Sequence, residues 1–398
     1  MKIRDILCAS VMLFSFVCMA ETPAVDKMKS TRSMAEGLMR SHRPTFEFDP
    51  TFSPEEFSEW QKGIKKAMTE LMKHPDIVPA QPRKAYSAKR DGYTIEKWIT
   101  YPFENAEVGV LLLIPDGITP DNPAPAALCI PGFGQTKELL AGERKGNFTL
   151  SGEADSTAGK NAMALNLVRE GIVALAVDNP SCGELSDNGY FDYITSSRFL
   201  LEMGWSYLGL ASWQDRVALE WLKSLDFVRT DRIIVSGFSL GTEPLMALGL
   251  MDDSIYAFVY NDFLCRTRER ALVMNKPNKD GSRGYPNSIE HLIPSFLSLF
   301  DFPDIVAALA PRPVICTEGG MDRDFGFIQK AYAIAGAPEN FEFHHYEKFK
   351  DPGSRQYLDS LPDGIDRADF FKLVNCDPPH HYFKTEHVMP WLHKLLDD

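Results

Sequence analysis

Hydrophobic and polar residues alternate along this chain with a period that changes between segments. From residue 126 onward, short apolar runs that suit buried strands are separated by segments whose apolar residues recur at helical spacing. The predicted strands cover residues 126–130, 173–178, 233–235, 257–260, 314–317 and 341–345, and the predicted helices cover 162–170, 208–222, 244–250 and 388–396. Strands that alternate with helices predict an α/β fold, in which a mostly parallel central sheet carries helices on both faces.

The beginning of the chain follows a different pattern. Lys2 and Arg4 precede an apolar run over residues 6–17, which is typical of a secretory signal peptide. The run is too short to span a bilayer, so we expect residues 1–20 to be a signal peptide of a periplasmic or secreted protein without membrane insertion. We predict residues 21–90 as an N-terminal extension, extended up to about residue 50 and then helical from Pro54, and residues 91–398 as the main domain.

Charge and cysteine content exclude several classes of partner and cofactor. The formal charge of −13 opposes binding to nucleic acid. Of the seven cysteines, Cys8 and Cys18 lie in the signal segment, and the sparse remainder does not resemble a disulfide framework, although up to two bridges of undetermined pairing could form. The cysteines lack zinc-site spacing, and we expect neither a metal nor an organic cofactor. The sequence does not indicate an oligomeric state.

The most informative stretch covers residues 233–241, where an apolar strand runs into Gly-Phe-Ser-Leu-Gly and a helix-like segment follows. A serine hydroxyl can attack a substrate only if a tight, strained turn lifts it clear of the backbone. Glycines on both sides leave room for that turn and allow the helix to pack against the strand. This pattern is the nucleophile elbow of α/β-hydrolases, and it predicts Ser239 as the nucleophile.

The acid that assists a serine of this kind follows a later strand of the sheet, and here that strand is predicted at 314–317. Three acidic residues come after it. We choose Asp322, because the glycines before it form a turn that would return its carboxylate toward the histidine. Glu318 is the first alternative and Asp324 the second.

The histidine is expected in the loop between the last strand and the last helix. His381 is our first choice and His380 the alternative, since both follow a proline-rich turn and precede the terminal helix. His344 and His345 lie in a strand-like run, where one of the two side chains faces the core or the sheet surface. His381 would accept the proton of Ser239 and pass it to the leaving alcohol.

An anionic intermediate on the substrate carbonyl needs two backbone N–H donors. The first is predicted at Leu240, directly after the nucleophile. The second is predicted in the glycine-rich loop at 131–135, where Phe133 or Gly134 would present its N–H.

Four segments, at 129–138, 175–178, 237–241 and 308–313, carry a resemblance to one group of enzymes. With them the chain resembles bacterial α/β-hydrolases of the acetyl xylan esterase-like and dienelactone hydrolase-like carbohydrate esterases, over residues 90–398. It also resembles the pectin methylesterase-type branch, in which a His-x-Phe sequence before the last helix is similar to residues 381–383. This resemblance implies a catalytic domain at 91–398 and favours His381 over His380. Dienelactone hydrolases carry a cysteine nucleophile, so Ser239 argues against their activity.

Two long irregular segments, at 262–304 and 350–379, are predicted to form lids or pocket walls, which suits a bulky substrate. The resulting hypothesis is a secreted serine esterase that removes acetyl or methyl ester groups from plant-type polysaccharides or oligosaccharides. Arg266, Arg268, Arg270 and Lys276 follow the strand at 257–260. They are candidates for binding the carboxylate of a uronate, with Arg266 as our choice. The alternatives are a serine peptidase of the same fold, for which residues 20–110 are too short to form a propeller domain, and a catalytically idle glycan-binding relative.

Overall fold

The computed structural model describes residues 30–143, 158–187, 191–277, 280 and 288–396. The predicted signal peptide at 1–20 lies outside these residues. The chain divides into two compact units, Met1–His42 and Arg43–Asp398. In the first unit the helix α1 (Thr31–Ser41) begins at an N-cap, where the Ser30 hydroxyl accepts the N–H of Ser33. The rest of this subsection concerns the second unit.

Within the described residues, the second unit is built on one nine-stranded sheet with the order β1-β2-β3-β5-β4-β6-β7-β8-β9. The first three strands pair antiparallel, and β3 is also antiparallel to β5, whereas every pair from β5 onward is parallel. The strands are β1 (Ala80–Arg90), β2 (Tyr93–Phe103), β3 (Ala106–Pro115), β4 (Ala124–Ile130), β5 (Val173–Ala176), β6 (Val228–Phe238), β7 (Ala257–Asn261), β8 (Val314–Cys316) and β9 (Phe341–Phe343).

The helices cover both faces of this sheet. They are α2 (Pro54–Met72), α3 (Lys137–Leu140), α4 (Met163–Arg169), α5 (Tyr193–Glu202), α6 (Tyr207–Lys223), α7 (Thr242–Met251), α8 (Thr267–Met274), α9 (Phe296–Leu299), α10 (Phe302–Ala308), α11 (Asp322–Ile334), α12 (Arg367–Leu373) and α13 (Thr385–Leu396). Helices α2, α6, α7, α10 and α11 contribute to the core on one face, and α4 and α13 to the core on the other.

The two cores explain why the central strands are apolar without interruption. In β4, Ala126, Leu128 and Ile130 face the first core, while Ala127 and Cys129 face the second. Successive side chains of a strand point to opposite faces, so a strand covered by helices on both sides has no position left for a polar residue. This is the arrangement that the hydrophobic pattern predicts.

Two elements of the N-terminal region differ from the sequence-based expectation. Helix α1 lies where we expected an extended segment. Its apolar residues Met34 and Leu38 stand four positions apart, but the helix is only 11 residues long and none of its residues is buried, so we did not recognise this short pattern as a helix. Strand β1, which lies in the predicted extension, pairs with β2 as the edge strand of the sheet. Helix α2 and β1 therefore belong to the same compact unit as the sheet, and this unit begins at Arg43.

Two further features concern redox chemistry and membranes. Among the described residues, the five cysteines at positions 129, 182, 265, 316 and 376 are free and buried. No helix of the described ranges is by itself long and apolar enough to cross a membrane. The helical segments at residues 289–299 and 302–308 reach the length and hydrophobicity of a membrane span only when they are counted together, and the chain bends by 70° between them.

A matched pair of helix glycines tests how closely α7 packs on the sheet. A Cβ atom at Gly249 would lie 2.7 Å from Leu309 Cδ2 and 2.9 Å from Phe258 Cε1, whereas a Cβ at Gly326 in α11 meets nothing within 4 Å. Gly326→Ala should raise the free energy of unfolding by about 0.5–1 kcal/mol through helix propensity. Gly249→Ala should lower it by about 1–3 kcal/mol through overpacking. Chemical denaturation measures both, and equal effects of the two substitutions would contradict this packing.

Candidate active site

The predicted nucleophile lies on a strained turn between β6 and α7. Ser239 has a φ of 51°, a value that a residue with a side chain adopts at a cost. A Cβ at Gly237 would lie 2.4 Å from the carbonyl oxygen of Gly241, and a Cβ at Gly241 would lie 2.4 Å from the carbonyl oxygen of Ile130. Both glycines are therefore required by the approach of the turn to its own backbone and to β4. The turn is further closed by the Thr242 hydroxyl, which donates to the carbonyl of Ser239 at 2.7 Å.

The loop after β4 lies directly against this turn. A Cβ at Gly132 would lie 2.8 Å from the ring of Phe238 and 3.2 Å from Ser239 Cβ. Two amides fix the loop: the Gly132 N–H donates to the side-chain oxygen of Gln135 at 3.1 Å, and Asn179 Nδ2 donates to the Pro131 carbonyl at 2.8 Å. The loop is thus held against the nucleophile turn, on the side where an oxyanion donor is required.

The two candidates for the second oxyanion donor differ in their surroundings. The N–H of Gly134 already donates to the hydroxyl of Tyr193 at 3.2 Å. Phe133, in contrast, lines a cavity together with Ser239 and Leu240. The geometry therefore favours the N–H groups of Leu240 and Phe133 over that of Gly134.

His381 is the histidine that the fold brings to the nucleophile. It lines the same cavity as Ser239, and its ring stacks on Phe238, the residue before the nucleophile, at a centroid distance of 4.7 Å. The alternative, His380, has a side chain that is 63% exposed and contacts Asp377 Oδ2 through Nδ1 at 2.8 Å. The loop before the terminal helix therefore places His381, and not His380, in the site.

The carboxylate that contacts His381 belongs to Glu318, our alternative choice. Glu318 Oε2 lies 2.5 Å from His381 Nδ1. Its other oxygen accepts the N–H of Tyr382 at 3.0 Å and lies 3.3 Å from Lys384 Nζ, and the carboxylate is fully buried. A carboxylate held by an N–H and a cation in this way can fix the imidazole so that Nε2 is the nitrogen available to the serine.

Our first choice for the acid, Asp322, is therefore corrected by the geometry. Its Oδ1 lies 3.0 Å from His345 Nε2, and its Oδ2 accepts from Arg355 Nε at 2.8 Å. The reason is the path of the chain after β8, where two glycines have φ values of 74° and 150°. The carbonyl of the first, Gly319, accepts the N–H of Leu264 at 2.8 Å, and the chain turns into α11 with Asp322 as its first residue. The glycine turn thus leads the carboxylate of Asp322 to a different histidine.

A second carboxylate, which the sequence analysis did not identify, lies beside His381. Asp262 follows β7, and its Oδ1 lies 4.0 Å from His381 Nδ1. Burial raises the pKa of Asp262 to about 6. Burial opposes a charge on the imidazole, but the carboxylates of Glu318 and Asp262 outweigh it and raise the pKa of His381. The signal that could have found Asp262 is its position directly after a buried strand, the same signal that marks Glu318.

Asp262, Glu318 and His381 offer ligand atoms that lie within 4.8 Å of one another, a spacing that could also hold a metal ion. The surroundings fit proton chemistry better, because the oxygens of Glu318 already receive His381, the Tyr382 N–H and the Lys384 ammonium. An adjacent ammonium would oppose a cation at this position. We therefore assign the cluster to the orientation of the imidazole.

The structure places Arg266 away from the catalytic residues. Its Nε donates to Asp324 Oδ1 at 2.8 Å. Asp324, the second alternative for the catalytic acid, is therefore the partner of Arg266. Arg270, one turn further along α8, lines the cavity instead. Carboxylate recognition at this position would therefore involve Arg270 and not Arg266.

The cavity above Ser239 has a volume of about 530 Å³. Its walls come largely from the two long segments that we predicted as pocket walls, which confirms that prediction. The lining residues are Phe133, Ser239, Leu240, Glu243, Asp262, Phe263, Arg270, Ser288, Glu290, His291, Phe371, Cys376, Pro378 and His381.

Comparison with known proteins places this geometry in context. The sequence profile of the Abhydrolase family matches residues 15–394. The crystal structure of a candidate acetyl xylan esterase from Bacteroides fragilis NCTC 9343 is 51% identical, covers 95% of this chain and 97% of its own, and has a TM-score of 0.88. No curated protein sequence matches the chain.

Two more distant structures are similar in fold. A methylesterase is 19% identical with a TM-score of 0.54, and the match covers 75% of this chain and 61% of that protein. A glucuronoyl esterase from Solibacter usitatus is 13% identical with a TM-score of 0.53, and the match covers 77% of this chain and 92% of the other.

The assignment of the acid can be tested by a pair of isosteric substitutions. Glu318→Gln removes the charge that orients and stabilises the imidazolium, so kcat for ester hydrolysis should fall by roughly 10³–10⁴-fold. Asp322→Asn acts at His345 and Arg355, and kcat should stay within about tenfold of the wild-type value. Steady-state kinetics on a soluble acetyl ester distinguish the two. A larger loss of kcat from Asp322→Asn than from Glu318→Gln would instead support Asp322 as the catalytic acid.

The role of Asp262 can be tested through the pH profile. Its negative charge, present above pH 6, favours the protonated imidazole, whereas His381 must be neutral to accept the serine proton. Asp262→Asn should therefore lower the pKa of His381 and move the acid limb of kcat/KM to lower pH, by about one pH unit. Asp377→Asn, which removes the carboxylate beside His380, is the matched control and should leave the limb in place. An acid limb that stays at the same pH, or moves to higher pH, in Asp262→Asn would contradict this role.

Proposed function

The chain belongs to the Abhydrolase family, which confirms the predicted α/β-hydrolase fold, and from this premise we propose that it is a secreted serine esterase that removes acetyl or methyl ester groups from plant-type polysaccharides or oligosaccharides. The relatives support the broader part of this assignment, since a candidate acetyl xylan esterase is 51% identical over 95% of this chain. The serine mechanism, the ester type and secretion are the proposed part. Secretion rests on the signal-like segment at residues 1–20.

The observation that carries the proposal is the placement of three side chains at one end of the sheet. Ser239 and His381 line one cavity, and Glu318 engages Nδ1 of the histidine. Nε2 is then the nitrogen that takes the proton from the Ser239 hydroxyl as it attacks the ester carbonyl. The N–H groups of Leu240 and Phe133 would receive the negative charge on the carbonyl oxygen.

The reaction would then proceed in two stages. In the first, the imidazolium of His381 gives its proton to the leaving alcohol, and the acyl group remains on Ser239. In the second, His381 takes a proton from water as its oxygen attacks the acyl carbonyl. The bond between the acyl carbon and Ser239 Oγ then breaks, the imidazolium returns the proton to Oγ, and the acid product leaves. The same residues serve an acetyl ester of a sugar and a methyl ester of a uronate, because the sugar lies on the alcohol side in the first case and on the acyl side in the second.

Paired assays of the wild-type protein and Ser239→Ala test the proposal. Acetylated xylan and methyl-esterified pectin fragments serve as substrates, and released acetate and methanol are measured. Release should fall by at least about 10³-fold in Ser239→Ala, because nothing replaces the nucleophile. Ser236→Ala is the matched control, since this serine lies in the same strand with its hydroxyl against Met163 Sδ at 3.4 Å and should keep its activity.

The outcomes separate the proposal from its alternatives. Product release that persists in Ser239→Ala would overturn the nucleophile. A wild-type protein that reacts with a serine-directed phosphonate at Ser239 but cleaves peptide esters and amides in preference to sugar esters would indicate a peptidase. A protein that is not labelled by the phosphonate and releases neither product would be a catalytically idle relative.

A further inference from the structure

The wall of the cavity beyond the catalytic residues carries two carboxylates that the reaction does not use. Glu243 lies in the first turn of α7, four residues after the nucleophile, and Glu290 lies in the short 3₁₀ helix Ile289–His291. The two elements meet where His291 Nδ1 contacts Glu243 Oε1 at 2.7 Å. Glu243, Glu290 and His291 all line the cavity that contains Ser239.

Each of these carboxylates has one oxygen bound and one free of any partner within the described part of the chain. Glu290 is 1% exposed, and its Oε1 accepts from the hydroxyl of Ser288. The second oxygens of Glu290 and Glu243 are buried, and neither has a hydrogen-bond donor among the described residues. Buried carboxylate oxygens without donors are rare, because they lose the hydrogen bonds of water without replacement. A ligand that brings two donors into the cavity would satisfy both.

The remaining walls indicate the chemistry of that ligand. Phe133, Phe263 and Phe371 line the cavity, and Phe263 and Phe371 pack edge to face at 6.0 Å. Apolar aromatic surface together with a few fixed acceptors is the composition of a site for a compact molecule with hydroxyl donors and carbon–hydrogen faces. A sugar ring presents both. We propose that Glu243 and Glu290 form a subsite that binds hydroxyl groups of a neutral sugar residue in the esterified glycan, an inference that rests on the proposed esterase function.

Charge decides between a neutral and an anionic sugar chain. Among the described lining residues, Glu243, Asp262 and Glu290 are acidic, and Arg270 is the only lysine or arginine. Arg270 lies close enough to Asp262 to interact with its charge, and Arg266 is paired with Asp324. The chain as a whole carries a formal charge of −13. A glycan whose neighbouring units carry free carboxylates would be repelled from such a site, whereas an O-acetylated neutral glycan would not.

The test compares substrates with and without a sugar. Glu243→Gln and Glu290→Gln keep the shape of the side chain but remove the charge that strengthens a hydrogen bond from a hydroxyl. For an acetylated xylo-oligosaccharide, kcat/KM should fall by about tenfold, mainly through KM. For p-nitrophenyl acetate, which has no sugar, the fall should be at least about fivefold smaller. Glu347→Gln, at a glutamate with an 88% exposed side chain, is the control and should change neither value.

Binding gives a second readout that does not depend on turnover. In the Ser239→Ala background, calorimetry with the acetylated xylo-oligosaccharide should show about tenfold weaker binding when Glu290→Gln is added. Equal losses for both substrates, or unchanged binding, would overturn the subsite while leaving the esterase assignment in place. Wild-type protein should also prefer the acetylated xylo-oligosaccharide over a partially methyl-esterified oligogalacturonide, which keeps free carboxylates, by at least about tenfold in kcat/KM. The reverse order would overturn the neutral-sugar inference. Inactivity of the wild-type protein toward p-nitrophenyl acetate and both oligosaccharides would instead count against the proposed function itself.

Discussion

The contact between the turn at Ser239 and the end of β4 is the constraint on which the rest of the site depends. The backbone of Gly241 lies so close to the carbonyl of Ile130 that no side chain fits between them. That approach gives Ser239 its positive φ, at a cost of about 1–3 kcal/mol that the surrounding packing must offset. It also brings the loop after β4 against the nucleophile, so one close contact positions both the serine and its oxyanion donor.

The carboxyl ends of the strands at this edge of the sheet also determine the electrostatics of the active site. Strands β7 and β8 each deliver one carboxylate, Asp262 and Glu318, to the imidazole of His381. The ammonium of Lys384 lies beside Glu318 and over the ring of Tyr382, at 3.4 Å from its centroid. One cation, Lys384, therefore offsets part of the charge of the two acids. This partial offset limits the negative charge of the site and still favours the imidazolium that the reaction requires.

The parts of this arrangement that were predictable from sequence are those set by local chain geometry. The uninterrupted apolar runs predict the central strands, and the glycines around Ser239 predict the turn, because both depend on neighbouring residues alone. The edge strand β1 is exposed along most of its length, so it carries no apolar alternation that could reveal it.

The identity of the acid is a different kind of problem. Glu318 and Asp322 lie four residues apart after the same strand, and both are acidic. The carboxylate that meets the histidine depends on where the chain turns, and the turn at Gly319 is fixed by a hydrogen bond from Leu264, 55 residues earlier. Asp262 was missed for a related reason, since its partner His381 is more than a hundred residues away in sequence and only the assembled sheet brings them together.

Helix α7 connects the nucleophile turn with the proposed sugar subsite. This helix begins directly after the nucleophile turn, and its N-terminal end provides the favourable field for an oxyanion at the Leu240 N–H. Glu243 lies in that first turn, so its charge opposes this field unless it is balanced. His291 Nδ1 lies 2.7 Å from one oxygen of that carboxylate, and the hydroxyl of a bound sugar would donate to the other oxygen. The proposed sugar subsite and the oxyanion donor Leu240 therefore lie on neighbouring turns of the chain. This follows from placing a carboxylate four residues after the nucleophile, on the same rigid helix.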